Sequence, residues 1–385
     1  MEMWKRGSSF RSQLVLAAVA AIAMLDGSWA MGATKTWTGG GTDANWNTAA
    51  NWAPAVVPVT GDDLAFPAGA ARPSSNNNLG AGTSFNSIAF TGPVSGYTLA
   101  GNAISLVGGI NAANSGSNTI SLSIALAASQ TFSSDGDRLV LSGPIALAAN
   151  TLTLNTTATG VVEVDGAISG SGGVTASGAA VVALITPCSY SGPTNVTGGF
   201  LSARSLNVAS VVTVSGGELD YANGNSNGPV TVNAAGKVAC GGGITQIGNL
   251  TDLTMTAGAR LTMIIYSTSN FGQMNASGSV DLGGATLSIG GTSNTGDSFL
   301  IIEKTSAGPV TGTFAGLPEG AFFSNGSRIY NITYLGGDGN DVVVTDQGAA
   351  PPEGSPIPTL GIAGVLALAV FLALAGLWML RRLAA

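Results

Sequence analysis

A small set of side chains in the middle of this chain could do sugar chemistry. Asp135, Asp137, Glu163, Asp165, Glu218 and Asp220 are carboxylates, and Arg138 adjoins the first two. Cleaving a polysaccharide takes clustered carboxylates in one groove, often with a basic partner and calcium. The pair Asp135/Asp137 recurs as Glu163/Asp165, far enough along to stack the two pairs on successive turns of a repetitive fold. Corner aspartates that cap turns would produce the same pattern. A second candidate is Gly336-Gly-Asp-Gly-Asn-Asp-Val342. It overlaps the calcium nonapeptide G-G-x-G-x-D, with Asp338 and Asp341 as oxygen ligands. That type of site needs stacked copies to fill six to eight coordination positions, and one copy is present.

Other chemistries are excluded outright. The chain has no histidine, so Ser-His-Asp and Cys-His catalysis and imidazole metal ligands are absent. No cofactor is expected. The formal net charge is −7, with dispersed charges and no basic stripe, so nucleic acid is not an expected partner. Cys188 and Cys240 are the two cysteines. In a stacked fold they would lie about two rungs, or about 10 Å, apart on a shared face. A disulfide needs Cα atoms within about 7 Å, so two unpaired, inward-facing thiols are expected. Trp37, Trp46 and Trp52 fall close together. Indole faces can stack on sugar rings, but they can also cover the open end of a β-stack, and the cap is the favoured role. Asp62 and Asp63 read as turn acceptors, because adjacent strand residues point to opposite faces.

The elements that would carry these groups are short strands. Only 9% of residues are charged, and there are 57 Gly among 385 residues. Val, Ile and Thr recur in alternation, which argues for an all-β exported protein over a disordered one. Residues 103–107, 119–125, 138–141, 151–154 and 161–164 are predicted strands, each bounded by Gly, Asn, Ser or Pro. The motif apolar-x-apolar followed by a Gly-containing corner begins at Val212, Val230, Leu253 and Val280, in steps that lengthen along the chain. A repeat of variable length with one recurring corner predicts a β-solenoid with loops at its corners. Residues 299–302 are wholly apolar and are expected to be buried on both sides. Residues 331–335 and 341–345 are expected to pair across the turn 336–340.

Both ends carry targeting features. Lys5, Arg6 and Arg11 precede an apolar run at 14–25, and Ser28 and Ala30 place small residues before a cut after Ala30. Residues 347–358 are Pro-rich and read as a linker. Residues 360–380 contain no charge, enough to span a bilayer as a helix. Arg381 and Arg382 follow, which would hold that end in the cytoplasm.

The clearest rung is 170–203. There Tyr190-Ser-Gly-Pro-Thr194, Val196-Thr197, Gly198-Gly199 and Leu201 resemble the autotransporter-associated β-strand repeat of exported bacterial passenger regions. Residues 183–188 depart from the usual apolar strand of that repeat. The Trp-containing start and the turn 336–342 are similar to the ends of that family's members. Ile357-Pro358-Thr359-Leu360, the apolar span and Arg381-Arg382 resemble the IPTL-type C-terminal sorting signal of Gram-negative bacteria. The resemblance implies anchoring in the inner membrane through a C-terminal helix, handling by a sorting protease, and display at or release from the cell surface.

The expected architecture is therefore an all-β, right-handed parallel β-helix. Its divisions are a signal peptide (1–30), a Trp-rich N-terminal cap (31–66), solenoid repeats (67–298), C-terminal cap strands (299–346), a linker (347–359) and a transmembrane sorting segment (360–385). The expected role is a non-enzymatic surface or matrix protein with adhesive character, facing cell-surface polysaccharide or matrix. The alternative is a carbohydrate-active β-helix enzyme.

Overall fold

The computed structural model describes residues 32–351, apart from 94–95, 158, 204–205, 207–210, 221–227 and 242–246. The candidate residues Ala30, Ile357, Pro358, Thr359, Leu360, Arg381 and Arg382 lie outside the described residues, as do both apolar terminal runs. Among the described residues, helix is confined to one 3-10 turn, Ala49–Asn51, and no helix is long and apolar enough to cross a membrane.

The chain winds into a β-solenoid of right-handed type. Short alternating strands bury every second side chain and hand the backbone hydrogen bonds to the rungs above and below. Two long sheets result, one of 16 strands and one of 12. Within their solenoid portion the pairings are parallel and in register. Thus Phe132 sits beside Leu154, Leu154 beside Ala176, and Ala176 beside Val196 in the first sheet. Leu139, Val162, Val182 and Leu201 form the matching inward column of the second sheet. A shorter third face carries Ile104, Ile124, Ile145 and Ile168.

The repeat read from sequence is the register of the fold. Val212, Val230, Leu253 and Val280 are neighbours on successive rungs. The stretch 170–203, expected to be one rung, spans two: Val174–Gly178 and Val181–Leu184 belong to one turn, and Thr194–Val196 and Phe200–Ala203 lie in register on them in the next. The corner of the first turn depends on Gly178, whose φ is +98° and whose missing Cβ would lie 1.9 Å from the Thr156 carbonyl oxygen. Any side chain there would collide with the rung below.

The two ends differ from the middle. At the start, strand Thr34–Trp37 pairs antiparallel with Trp52–Ala53 and parallel with Asp63–Pro67. Trp37, Trp46 and Trp52 are buried in the core with Phe66, Phe85 and Phe90. At the far end a six-stranded sheet takes over. Ser298–Lys304 pairs antiparallel with Asp341–Ala349, which pairs antiparallel with Arg328–Gly336. The expected hairpin across 336–340 is thus present. The expectation for 299–302 needs correcting. A register shift between Leu300 and Ile302 turns both Ile301 and Ile302 inward, while Leu300 is only half-buried. The bulge, not two-sided covering, accounts for the unbroken apolar run.

Candidate functional site

The carboxylates singled out from the sequence are not brought together. One rung carries the chain from Arg138 to its neighbour Val161, and from Val140 to Glu163. Glu163 therefore lies a full strand segment past the position that would stack on Asp135. Asp135 and Asp137 sit at the corner before the second-sheet strand, Glu163 stands outward on the next strand, and Asp165 lies at the corner after it. The Asp135 and Asp165 backbone carbonyls accept hydrogen bonds from the hydroxyls of Thr157 and Thr186, one rung on. Glu163 is engaged by the Arg138 guanidinium. These four acids line no common groove.

Glu218 and Asp220 are placed differently. They occupy alternate positions of strand Gly217–Asp220 and so project from the same outer face, with Cα atoms about 6.7 Å apart. Lys237 is the neighbour of Glu218 on the next rung, and Arg260 is the neighbour of Lys237. Burial raises the Asp220 carboxyl above its ordinary value, and the charge of Glu218 adds to the effect. A lifted acid beside a second carboxylate is the arrangement that acid–base chemistry uses.

The calcium candidates separate as well. Asp341 is buried and its Oδ1 accepts the Lys304 backbone N–H at 2.8 Å. Asp338 is exposed on the turn. Lys304 turns its ammonium onto the carbonyls of Ser306, Ala307 and Gly308 at 2.8–3.0 Å, which fastens the adjoining loop. Among the described residues, no group of three or more Cys, Asp or Glu side chains could hold a metal ion.

The cysteines are both buried and unbonded, on different faces. Cys240 pairs in register with Met263 in the second sheet. Cys188 lies beside Ile168, at the third face, since the Ser189 N–H reaches the Ile168 carbonyl. Burial pushes the Cys188 thiol up to about 11 and the Cys240 thiol to about 12. Both are inert fillers at neutral pH. Asp62 and Asp63 act as acceptors. Asp62 takes the N–H groups of Ala33 and Val59, each at 2.9 Å, and Asp63 takes the side chains of Asn86 and Ser87.

The outer face of the first sheet carries Ser, Thr and Asn in an order that composition alone does not give. Two columns run along it. The register places Thr131, Thr153, Thr175, Asn195, Thr213, Thr231 and Thr254 on successive rungs. Two positions further along each strand stand Ser133, Asn155 and Ser177, then Thr197, Ser215, Asn233 and Thr256. The second column is tied rung to rung. Hydroxyls of Ser133, Ser177, Thr197 and Thr256 donate to the carbonyls of Ile110, Leu154, Ala176 and Val232. In the first column the threonine hydroxyls make no hydrogen bond among the described residues. The signal was the middle residue of each apolar-x-apolar triplet, which is threonine at Thr213, Thr231 and Thr254.

Near the closing sheet a pocket of about 180 Å³ is lined by Tyr266, Ser267, Thr268, Thr292, Ser293, Asn294 and Asp297. Beneath it Asp346 is buried and held by Arg328, Ser293 and the Gly348 N–H.

Comparison with known proteins finds no match: no family model, no curated protein and no solved structure is similar to this chain.

Proposed function

We propose that this chain is an exported structural protein, displayed at the cell surface or built into extracellular matrix, with adhesive character. The observation that carries the reading is the solenoid's long outer face of uncharged Thr, Ser and Asn on a fully hydrogen-bonded parallel sheet. Such a face is rigid and presents the same chemistry on every rung. The terminal features support the address: a cleavable leader ending at Ala30, and an apolar segment at 360–380 preceded by Ile357-Pro358-Thr359-Leu360 and followed by Arg381 and Arg382. On this reading the C-terminal segment holds an intermediate in the inner membrane of a Gram-negative cell. A sorting protease then acts at the Ile-Pro-Thr-Leu signal, and the body meets cell-surface polysaccharide or matrix.

Fractionation with intact-mass analysis tests the address. The mature chain is expected to begin at Met31 and to fractionate with membrane until its tail is removed. Deleting residues 360–385 should move it to the soluble fraction; retention in the membrane would contradict the anchor.

A second reading is carried by Glu218 and Asp220. Two carboxyls on one face, one of them lifted by burial, suit glycoside cleavage. Release of reducing sugar from neutral or acidic polysaccharides, abolished in both Glu218→Gln and Asp220→Asn, would support it. Equal release by the two variants and the unaltered chain would exclude these residues.

A further inference from the structure

The outer columns of the first sheet form a lattice, and its dimensions point to a particular partner. Successive rungs place equivalent side chains about 4.8 Å apart, and alternate residues of one strand are about 6.7 Å apart. Between Thr131 and Thr256 every outward position in the two columns is Thr, Ser or Asn. None is charged, so an ionic ligand gains nothing from this face. None is aromatic, so a sugar ring finds no flat apolar partner on which to stack.

Water has a matching repeat. Hydrogen-bonded O···O distances of about 2.7–2.8 Å with tetrahedral geometry put second-neighbour oxygens about 4.5 Å apart. The rung step comes within about 0.3 Å of that figure. Anchors so spaced can hold every second oxygen of a frozen sheet of water. The array also has the required stiffness. Threonine is restricted at χ1, and inward neighbours such as Leu154, Ala176 and Val214 are fully packed. The second column is fixed by its bonds to the rung below, and the first column keeps its hydroxyls free for an outside partner. The lattice is bounded. It starts after Gly109, which precedes Thr131 by one rung, and stops at the charged Asp281, the neighbour of Thr254.

We propose that this face binds ice, its threonine and serine hydroxyls and methyls ordering a first layer of water that merges with the crystal surface. This goes beyond the reading of an exported scaffold and does not depend on export.

The test uses the full-length chain in detergent micelles, slowly frozen, with protein measured in the ice and in the remaining liquid. Enrichment in ice of about tenfold over Thr175→Arg/Thr213→Arg is expected, since two guanidinium groups at the centre of the face break the lattice. Thr262→Arg, on the outer face of the second sheet, should partition like the unaltered chain. Circular dichroism checks the fold of each variant. If the double variant does not fold, Thr213→Arg alone serves, with a smaller loss expected. Exclusion of the unaltered chain from ice overturns the proposal, as does unchanged partition of the folded first-sheet variants or an equal loss in Thr262→Arg. Binding to microcrystalline cellulose without enrichment in ice would assign the face to a glucan and overturn it as well. Failure here leaves the fractionation result untouched, so the two readings stand or fall apart.

Discussion

At its opening end one short antiparallel pair, Thr34–Trp37 with Trp52–Ala53, is sealed by stacked rings; at its closing end the seal is a run of long antiparallel strands. The opening end stacks rings. Trp37 and Trp52 meet edge to face with centroids 5.0 Å apart, and Trp46 meets Trp52 at 5.9 Å. Each buried indole N–H is used: Trp37 donates to the Arg72 carbonyl at 2.7 Å, Trp46 to Ser75 Oγ at 3.0 Å, and Trp52 to the Trp46 carbonyl at 2.9 Å. The closing end relies on hydrogen bonds. Strands 298–304, 341–349 and 328–336 turn antiparallel, and their side chains tie loops to strands. Tyr334 Oη accepts the Phe314 N–H at 3.0 Å and donates to the Leu317 carbonyl at 2.6 Å. An apolar seal fails by leaving a cavity, whereas a hydrogen-bonded seal fails by leaving polar groups unpaired. The two should therefore respond to different insults.

Removing a ring should damage the opening end most. Trp46→Ala deletes a fully buried indole and leaves Ser75 without its donor. A loss of about 3–5 kcal/mol is expected for an aromatic-to-alanine change in a core. Of the six tryptophans, Trp37, Trp46 and Trp52 are the ones within 32–351, so in a fragment of that span their fluorescence reports the opening end. Urea unfolding followed by this signal should shift clearly; an unchanged midpoint would contradict the capping role. At the closing end Tyr334→Phe keeps the ring and removes the hydroxyl. The buried Phe314 N–H then loses its acceptor, a cost of about 1–3 kcal/mol. Unfolding by tyrosine absorbance, to which Tyr266 and Tyr330 contribute near the closing end and Tyr97 at the opening end, should show part of the shift, and the tryptophan signal should move less.

The asymmetry also separates what the sequence shows from what it hides. Alternation and the recurring corner were legible because they are local. Val212, Val230, Leu253 and Val280 could be set in register by counting alone, and the structure pairs them so. The crowding of Trp37, Trp46 and Trp52 pointed to a cap because half of the six tryptophans fall in that short stretch. Rung length, by contrast, is set by corner loops. The step from Val196 to its neighbour Val214 is much shorter than the step from Leu253 to its neighbour Val280. An overestimate of one such step was enough to stack Glu163 on Asp135 in the sequence reading, where the structure parts them. The bulge at Leu300–Ile302 left no mark in an unbroken apolar run. The threonine lattice was visible in principle. A rigid face rich in Ser, Thr and Asn was legible from composition, but its two columns depend on the rung-to-rung register, which corner loops of variable length conceal.

The gentlest probe of the comparison is acid. Asp346 is buried against the closing sheet. Burial alone would raise its carboxyl, but hydrogen bonds from Arg328, Ser293 and the Gly348 N–H outweigh that and hold it below the ordinary carboxylate value. A carboxyl lowered in the folded state, against about 3.9 when unfolded, stabilises the fold fully above the unfolded value. That contribution is lost as pH falls through the lower folded value. Stability at the closing end should therefore be flat in this group from neutral pH down to about 4 and should decline below it. Asp346→Asn keeps the shape but not the charge that pairs with Arg328. It should be less stable than the unaltered chain at neutral pH, and the gap should narrow below about pH 3. The tyrosine signal should carry this dependence more strongly than the tryptophan signal. If Asp346→Asn shows the same deficit at about pH 2.5 as at neutral pH, the ion pair is not what fastens the closing sheet. The hydrogen bonds of Ser293 and Gly348, which an amide can still accept in part, would then bear the larger share.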